Sequence, residues 1–304
     1  MPILKPTVIV IAGPTAIGKS SVAAHLAQSL SCEILNADSR QIYRELNIGT
    51  AKPMPEELKA TPHHFINSHS ITERFTAAHY ADQALSTLDH IWQRHSVAIL
   101  SGGTGLYIKG VLEGFDKIPT VDNVITDELE FELQRTGIHV LQDELRLKDP
   151  QYYEVVDKSN HRRIMRALSV IRMTGEPFSS YLNNETPERK FNPLKILLQM
   201  DRQKLYERIN LRVDKMMDMG LLDEVKALIQ YHNLPSLQTV GYQELFDHVR
   251  GVTSLSEAVD LIKRNSRRYA KRQMTWFRNR PGWKIFSPHE LREMLNHIKQ
   301  SIPK

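Results

Sequence analysis

The sequence contains a single cysteine, Cys32, among 304 residues. This excludes internal disulfide bonds and zinc sites built from several cysteines, and it indicates a reducing compartment. No apolar run approaches the roughly 18 residues of a membrane-spanning helix, and the first apolar segment leads into a loop rather than a cleavage site. We therefore expect a cytoplasmic protein with no membrane partner, in which Cys32 is a small buried side chain.

Compositional bias, internal repeats and low-complexity segments are also lacking. The apolar fraction is 41% and the charged fraction is 25%, as in ordinary globular proteins. The length permits one large domain, or a core that carries a smaller insertion. The net charge of +5 is a modest excess that favours a polyanionic partner without establishing one. Nothing in the sequence requires more than a monomer.

The most informative stretch is GPTAIGKS, which directly follows the apolar run TVIVIA. The pattern G-x-x-x-x-G-K-[ST] between a strand and a helix is typical of a loop whose backbone N–H groups surround phosphate. We expect Lys19 to reach the outer phosphates and the Ser20 hydroxyl to meet Mg²⁺. The predicted phosphate loop comprises Gly13, Pro14, Thr15, Ala16, Ile17, Gly18, Lys19 and Ser20.

Short β-branched runs alternate with helical patterns, which predicts an α/β fold with a parallel sheet flanked by helices, of the P-loop type. Residues 119–190 are rich in charged helix formers and contain no buried-strand run, so they predict a mainly helical insertion domain. The P-loop core would then comprise residues 1–118 and 191–304, ending in basic helices. Strands are expected at 7–12, 33–37, 96–100 and 193–198, and helices from Gly18 and from Thr76 to Arg94.

Asp38 follows the second predicted strand, where its role has two interpretations. An ordinary P-loop ATPase needs an acidic residue after a second strand to hold Mg²⁺, yet the strand at 96–100 ends in Ser-Gly-Gly. The residues after Asp38, SRQIY, are polar and aromatic recognition types. Asp38 is therefore either a carboxylate directed at a substrate or an N-cap, and the pattern alone leaves both open.

Two further glycine turns follow, GTAKP at 49–53 and GGTGLY at 102–107. The second follows a strand, so Thr104 should lie at the carboxyl edge of the sheet, where doubly wound proteins bind ligands. A tight turn that needs glycine dihedral angles would explain the three glycines but not the threonine.

Positive charge is concentrated in KRNSRRYAKRQMTWFRNR, residues 263–280, which contain eight Lys or Arg and no acid. On a helix the cations through Arg272 cover one half, while Ile262, Tyr269, Trp276 and Phe277 fall on the other. We favour a nucleic-acid contact over a merely solvated basic face. The sequence offers a second basic cluster at His161–Arg166, where Arg162, Arg163 and Arg166 would share a helix side, but which alone could be a set of exposed arginines.

A third cationic candidate is Arg212, in the helix that begins after Asp201. Leu205, Ile209, Val213 and Met216 form the buried stripe of that helix, and Arg212 falls at its edge. An arginine that points toward a core requires an anion. That anion is either a phosphate or the carboxylate of a salt bridge.

These segments together resemble the tRNA dimethylallyltransferases, which transfer a prenyl group from dimethylallyl diphosphate to N6 of an adenosine beside the anticodon, adenosine 37. The phosphate loop alone is shared with many enzymes, whereas DSRQIY followed by GTAKP and GGTGLY is highly specific. The matching strings span nearly the whole chain in family order: GPTAIGKS, NADSRQIY, NIGTAKP, SGGTGLYIKGVLEG, RRIMRAL, VGYQEL and AKRQMTWFR.

The resemblance implies that Asp38 is the general base and that Thr104 lies beside the diphosphate bridge. It implies that Lys19, Ser20 with Mg²⁺, and Arg212 hold the diphosphate. Members often have an arginine where this chain has Thr126, and the zinc-binding tail of eukaryotic relatives is absent. The expected contacts with the tRNA anticodon stem-loop, including the basic helix, are Asp38, Ser39, Arg40, Gln41, Thr104, Thr126, Arg162, Arg163, Ile164, Met165, Arg166, Gly241, Tyr242, Gln243, Arg268 and Arg272.

The implied reaction is chemically consistent with these residue types. The adenine amine is a poor nucleophile, so a carboxylate such as Asp38 must take its proton as the carbon–nitrogen bond forms. Negative charge builds on the leaving diphosphate, which backbone amides, Lys19, Arg212 and Mg²⁺ would stabilise. Two rivals are a P-loop small-molecule or nucleotide kinase, which would consume ATP, and a noncatalytic nucleic-acid-binding protein that senses nucleotide and would not need Asp38.

Overall fold

The computed structural model describes residues 5–53, 55–182 and 187–302. Within them, six strands form one sheet in the order β3-β2-β4-β1-β5-β6, and every neighbouring pair is parallel. No helix in the described ranges is long and apolar enough to cross a membrane. The strands are β1 (Thr7–Ala12), β2 (Glu33–Asn36), β3 (His63–His64), β4 (Val97–Gly102), β5 (Asn192–Leu198) and β6 (Lys284–Phe286).

Helices account for most of the remaining described structure. They are α1 (Lys19–Leu30), α2 (Pro55–Ala60), α3 (Ala77–Ile91), α4 (Gly105–Glu113), α5 (Asn123–Thr136), α6 (Ile138–Lys148), α7 (Pro150–Val155), α8 (His161–Thr174), α9 (Arg202–Asp218), α10 (Leu221–Ala227), α11 (Tyr242–Val249), α12 (Leu255–Arg278) and α13 (Leu291–Ser301).

Strand β1 lies at the centre of the sheet, between β4 and β5, and all six of its residues are buried. Such a strand must be apolar on both faces, which explains its continuous TVIVIA run. Val8 and Val10 pack into a core on one side of the sheet, and Ile9 and Ile11 pack into another that includes residues of α1 and α13. The strand is therefore rigidly held, and it delivers the phosphate loop to the carboxyl edge of the sheet.

The chain folds into two compact units, one formed by Met1–Glu113 with Glu188–Lys304 and the other by Gly114–Pro187. These boundaries fall a few residues before the 118/119 and 190/191 positions expected from composition. The second unit contains α5 to α8, and its described residues form no strand. Its own hydrophobic core includes Leu129, Leu141, Leu145, Ile164 and Leu168.

The predicted α/β fold is confirmed, with small shifts in element ends. Strand β4 continues to Gly102 because Ser101 and Gly102 still pair with the last residues of β1. Strands β3 and β6 were missed, since two or three residues are too short to show a periodic pattern. Helix α3 begins at Ala77 and ends at Ile91 rather than Arg94, and Thr76 is its N-cap because the Thr76 hydroxyl accepts from the His79 amide. Cys32 is buried, as expected.

Replacing Thr76 with alanine should lower the free energy of unfolding by about 1 kcal/mol, because the His79 amide would lose the hydroxyl that accepts its hydrogen bond. The matched control is Thr87→Ala in the same helix. The Thr87 hydroxyl only donates back to the Gln83 carbonyl, and alanine is the better helix former. Urea unfolding of the full chain measures both variants, and equal losses would contradict the capping role.

Candidate active site

The phosphate loop opens into a cavity of about 560 Å³ at the carboxyl edge of the sheet. Gly18 adopts the left-handed conformation, with φ of 104°, as the N-cap of α1. The first N–H groups of α1 are thereby turned toward the cavity, which Gly18, Lys19 and Ser20 line. A helix N-terminus of this kind attracts anions. The Ile17 side chain instead packs into the core, so Ile17 contributes only backbone to the loop.

Positive charge dominates this first cavity. Four cations line it, Lys19, Arg208, Arg212 and Lys215, against one carboxylate, that of Asp38. Burial lowers the pKa of Lys19 to about 8, an effect that Asp38 opposes and Arg212 reinforces. Burial also lowers the pKa of Arg212, again opposed by Asp38. An anion bound here would therefore gain strong electrostatic stabilisation.

Arg212 is bound to neutral groups rather than to a carboxylate. Its guanidinium donates to the Thr15 hydroxyl at 3.1 Å and to the Thr50 carbonyl at 3.3 Å. Among the described residues no carboxylate lies within ion-pair distance of Arg212. Of the two interpretations of this arginine, the geometry favours the anion-binding one, because its charge is not neutralised within the protein.

Asp38 caps the backbone that follows it and also lines the cavity. Its Oδ1 accepts from the backbone N–H of Arg40 at 2.9 Å and of Gln41 at 3.4 Å, so the carboxylate does cap the backbone. The segment that follows is a series of turns rather than a helix. The carboxylate is only half-buried and lines the cavity. Capping by one oxygen thus fixes its direction and leaves it facing open space.

Thr104 lies beside Asp38 because the loops after β2 and β4 are bonded together. The Thr104 amide donates to the Ala37 carbonyl at 3.1 Å, and the Thr104 hydroxyl accepts from the Ser39 amide at 2.9 Å.

The glycines before Thr104 permit close approach of the backbone rather than unusual dihedral angles, since neither Gly102 nor Gly103 has a positive φ. A Cβ at Gly102 would lie 2.0 Å from the Ala37 carbonyl oxygen. The interpretation of these two glycines as a dihedral requirement is therefore wrong.

A second cavity, of about 360 Å³, meets the first at Asp38. Both cavities are lined by Thr15, Ala16, Asp38, Arg212 and Tyr269. The second is lined in addition by five residues of the predicted tRNA set: Ser39, Arg40, Gly241, Gln243 and Arg272. Asp38 therefore lies in the part of the wall that the two cavities share.

Sequence reasoning missed Tyr269 and Gln273, both on α12. Tyr269 lines the cavity together with Asp38, and burial, with Asp38 nearby, raises the pKa of Tyr269 to about 12. Gln273 accepts a hydrogen bond from the Thr15 amide and donates one to the Gly103 carbonyl. A signal was present, because Ile262, Tyr269, Gln273 and Trp276 share one helix face, and a glutamine in an apolar stripe needs a polar partner.

Sequence reasoning also missed Glu224, which holds the GTAKP turn. Its carboxylate accepts from three successive amides, those of Asn47, Ile48 and Gly49, at 2.8 to 3.1 Å. It also accepts from the Tyr242 hydroxyl at 2.6 Å. The turn thereby presents the Thr50 carbonyl to Arg212, and its residues Gly49, Thr50 and Ala51 line the two cavities.

The structure corrects several predicted tRNA contacts. The side chains of Ile164 and Met165 are buried in the core of the second unit, and Tyr242 is fully buried against Glu224. These three side chains do not present a surface to a partner. The Gln41 amide donates to the Thr50 and Ala51 carbonyls, and Arg40 donates to the Ser236 carbonyl at 2.7 Å, so both have structural roles.

The basic half of α12 is partly neutralised. Lys263 pairs with Asp214 at 2.5 Å and Arg267 donates to Asn210 at 2.6 Å, both on the neighbouring helix α9. Arg264, Arg268, Lys271 and Arg272 remain exposed. The charged surface available to a polyanion is thus narrower than the sequence pattern suggested.

In the second unit, the remaining predicted contacts lie on two helices. Arg162, Arg163 and Arg166 are exposed on α8, whose N-cap is Asn160. Thr126 is half-buried on α5, and its hydroxyl donates to the Asp122 carbonyl at 3.5 Å.

Comparison with known proteins identifies similar sequences over nearly the whole chain. A family model described as IPP transferase matches residues 41–280. The tRNA dimethylallyltransferase of Cytophaga hutchinsonii is 43% identical over 302 residues, covering 99% of each chain. The full-length tRNA isopentenylpyrophosphate transferase of Bacillus halodurans superposes with a TM-score of 0.73 at 37% identity, over 98% of this chain and 97% of its own.

A eukaryotic dimethylallyltransferase acting on tRNA is also structurally similar. The TM-score is 0.81 at 26% identity, and the match covers 97% of this chain and 77% of that one.

Lys19 should make the binding of diphosphate depend on pH. Its pKa of about 8 means that the ammonium is charged below that pH and neutral above it. We therefore expect the affinity for inorganic diphosphate, measured by calorimetry, to fall as the pH rises through about 8. Lys19→Arg is the matched control, because a guanidinium stays charged throughout this range. The same pH dependence in both proteins would contradict the role of Lys19.

Proposed function

The chain belongs to the IPP transferase family, and on that premise we propose that it transfers the dimethylallyl group of dimethylallyl diphosphate to N6 of adenosine 37, beside the anticodon of tRNA. The observation that carries the proposal is the position of Asp38, where the two cavities meet. Substrates that enter from opposite sides would bring their reacting atoms together at this carboxylate.

The diphosphate would occupy the first cavity. The amides at the start of α1, with Lys19 and Arg212, are placed to bind its oxygens, and Thr104 to contact the oxygen that bridges to the prenyl carbon. As the allylic C–O bond breaks, charge builds on the diphosphate, and these donors bind it more strongly than in the ground state. The phosphate loop thus holds a leaving group.

The nucleobase amine would approach through the second cavity. The N6–C bond forms as the C–O bond breaks, and the N6 proton passes to the Asp38 carboxylate, so charge and atoms balance with release of diphosphate. Because the Asp38 Oδ1 accepts two backbone amides, the carboxylate is held in one orientation for this step.

Mg²⁺ would bind together with the diphosphate. In the described residues no group of three or more His, Cys, Asp or Glu could hold a metal ion. Such a cluster is unnecessary, since Mg²⁺ in phosphate sites takes one or two protein oxygens, substrate phosphates and water. The exposed Ser20 hydroxyl supplies an oxygen of that type in the same cavity. When bound, Mg²⁺ neutralises charge on the diphosphate oxygens.

The tRNA would contribute an unpaired base and a charged backbone. Bases of the anticodon loop can turn out of the stack at modest cost, and a pocket such as the second cavity can receive one. Gln243 is exposed at this cavity and is suited to bind base edges. The exposed arginines of α12, and those of α8 in the second unit, would bind phosphates. All of these residues belong to one chain, so we propose that a monomer is active.

Asp38→Asn should lower the rate of prenyl transfer by about 100- to 10,000-fold, because asparagine cannot take the proton. The amide oxygen can still accept the Arg40 and Gln41 N–H groups, so the turn is preserved. The assay combines the protein, an unmodified anticodon stem-loop, Mg²⁺ and dimethylallyl diphosphate, without ATP, and weighs the RNA. We expect the wild-type protein to add one prenyl unit.

Two outcomes of that assay would overturn the proposal. ATP turnover with no change in RNA mass would identify a kinase, an alternative that the family does not favour. Undiminished transfer by Asp38→Asn would exclude the carboxylate as the base. Asp82→Asn, an exposed change of the same kind on α3, is the control and should transfer at the wild-type rate.

Arg268→Gln and Arg272→Gln should each weaken tRNA binding and lower its salt dependence. Each phosphate contact contributes a slope of about −0.9 in a plot of log affinity against log salt concentration. The double variant should therefore lose nearly two units of slope if both arginines bind phosphates. The exposed Arg292→Gln on α13 removes the same charge elsewhere and is the control. An unchanged slope in the double variant would show that Arg268 and Arg272 do not contact phosphates.

A further inference from the structure

Three parts of the chain meet at the side chain of Gln273. This residue lies on α12 and is only 6% exposed. Its Oε1 accepts from the Thr15 amide of the phosphate loop at 2.8 Å, and its Nε2 donates to the Gly103 carbonyl at 2.9 Å. One amide group therefore joins the loop after β1 to the loop after β4.

Both loops fit closely around this amide. A Cβ at Gly103 would lie 2.3 Å from the Gln273 Nε2, so a larger residue would displace it. Thr15 is also held from the other side, because its hydroxyl accepts from Arg212. Since a buried amide is costly when unpaired, the two hydrogen bonds fix the distance between the loops.

The same helix carries residues that face each substrate. Tyr269, one turn before Gln273, lines both cavities. The exposed Arg268 and Arg272 lie on the outer side of the helix. Helix α12 thus connects the proposed RNA surface to the two loops that bind the diphosphate.

We propose that Gln273 is a positioning residue, which holds the phosphate loop and the Thr104 loop in the relative position that prenyl transfer requires. The proposal rests on the proposed function and adds to it a residue that touches no reacting atom. Gln273 acts through Thr15 and Gly103: the first connects it to Lys19 and Arg212, and the second to Thr104.

Gln273→Glu gives the sharpest test, because protonation switches its hydrogen bonding. The neutral acid offers one carbonyl acceptor and one hydroxyl donor, so it can replace both bonds of the amide. The carboxylate has no donor, and its oxygen would face the Gly103 carbonyl. We therefore compare the kcat/KM of Gln273→Glu for dimethylallyl diphosphate with the wild-type value at the same pH. We expect the ratio of variant to wild type to rise about tenfold as the pH falls from about 8.5 to 6.

Other charged groups surround the position and must be separated from this effect. The cavity is lined by Lys19 from α1, Asp38 from the loop after β2, and Arg208, Arg212 and Lys215 from α9. Lys271 and Arg272 neighbour Gln273 on α12 itself. These groups are present in the wild-type protein as well, so the ratio at each pH isolates the effect of residue 273.

Gln273→Met separates lost hydrogen bonds from added charge. Methionine has a similar length but no donor or strong acceptor, so we expect kcat/KM to fall about tenfold at every pH. If Gln273→Glu lost activity only because its carboxylate repels the diphosphate, the uncharged Gln273→Met variant would remain active. Gln300→Glu, exposed on α13, makes the same substitution elsewhere and should follow the wild type at all pH values.

Thermal unfolding of each variant at each pH identifies any loss of folded protein, and assays are run well below the midpoints. Wild-type kcat/KM in Gln273→Met, or wild-type kcat/KM in Gln273→Glu throughout this pH range, would overturn the positioning role. The affinity for inorganic diphosphate, measured by calorimetry, allows the same comparison of each variant with the wild type without the reaction. If the wild-type protein transferred no prenyl group while Gln273→Glu still bound diphosphate in a pH-dependent way, the proposed function would fail and the positioning role would stand.

Discussion

The parallel register of β1, β4 and β2 is the constraint on which the site depends. Ala12 lies opposite Gly102, so the phosphate loop and the Thr104 loop leave the sheet side by side. Asn36 pairs with Ser101, which brings Asp38 to the same edge. Because Gly102 has no side chain, the backbone after β2 can touch the loop after β4. The Asp38 carboxylate and the phosphate loop are thereby placed around one cavity.

Charges in the site are arranged differently from charges elsewhere. In the second unit Arg172 binds both Glu132 and Glu144, and at the amino edge of the sheet Glu33 pairs with Arg94 at 2.9 Å. Those charges are neutralised within the protein and contribute to structure. Arg212 instead donates to a hydroxyl and a carbonyl. An empty site of this kind is less stable than one lined by apolar residues, because its cations are not neutralised. The binding of an anion stabilises the folded protein and offsets this cost.

Much of this arrangement is predictable from sequence because it is local. The phosphate loop, the strand before it and Asp38 at the end of β2 each follow from a short pattern. Gln273 and Glu224 are different, since their partners lie far away along the chain: Thr15 is 258 residues from Gln273 and Gly49 is 175 residues from Glu224. No single-sequence pattern pairs such positions. The basic face of α12 was overestimated for the same reason, because Asp214, which neutralises Lys263, belongs to another helix.

Arg189 holds together the two points at which the helical unit joins the core. Its guanidinium donates to the carbonyls of Gly110 and Leu112, at the end of α4, so the chain that returns to the core at Glu188 is fastened beside the chain that leaves it at Glu113. The two junctions are therefore neighbours on the core. An insertion joined in this way resembles an enlarged surface loop. All strands of the described residues lie outside the insertion, so a change in its length need not alter the strand order of the core.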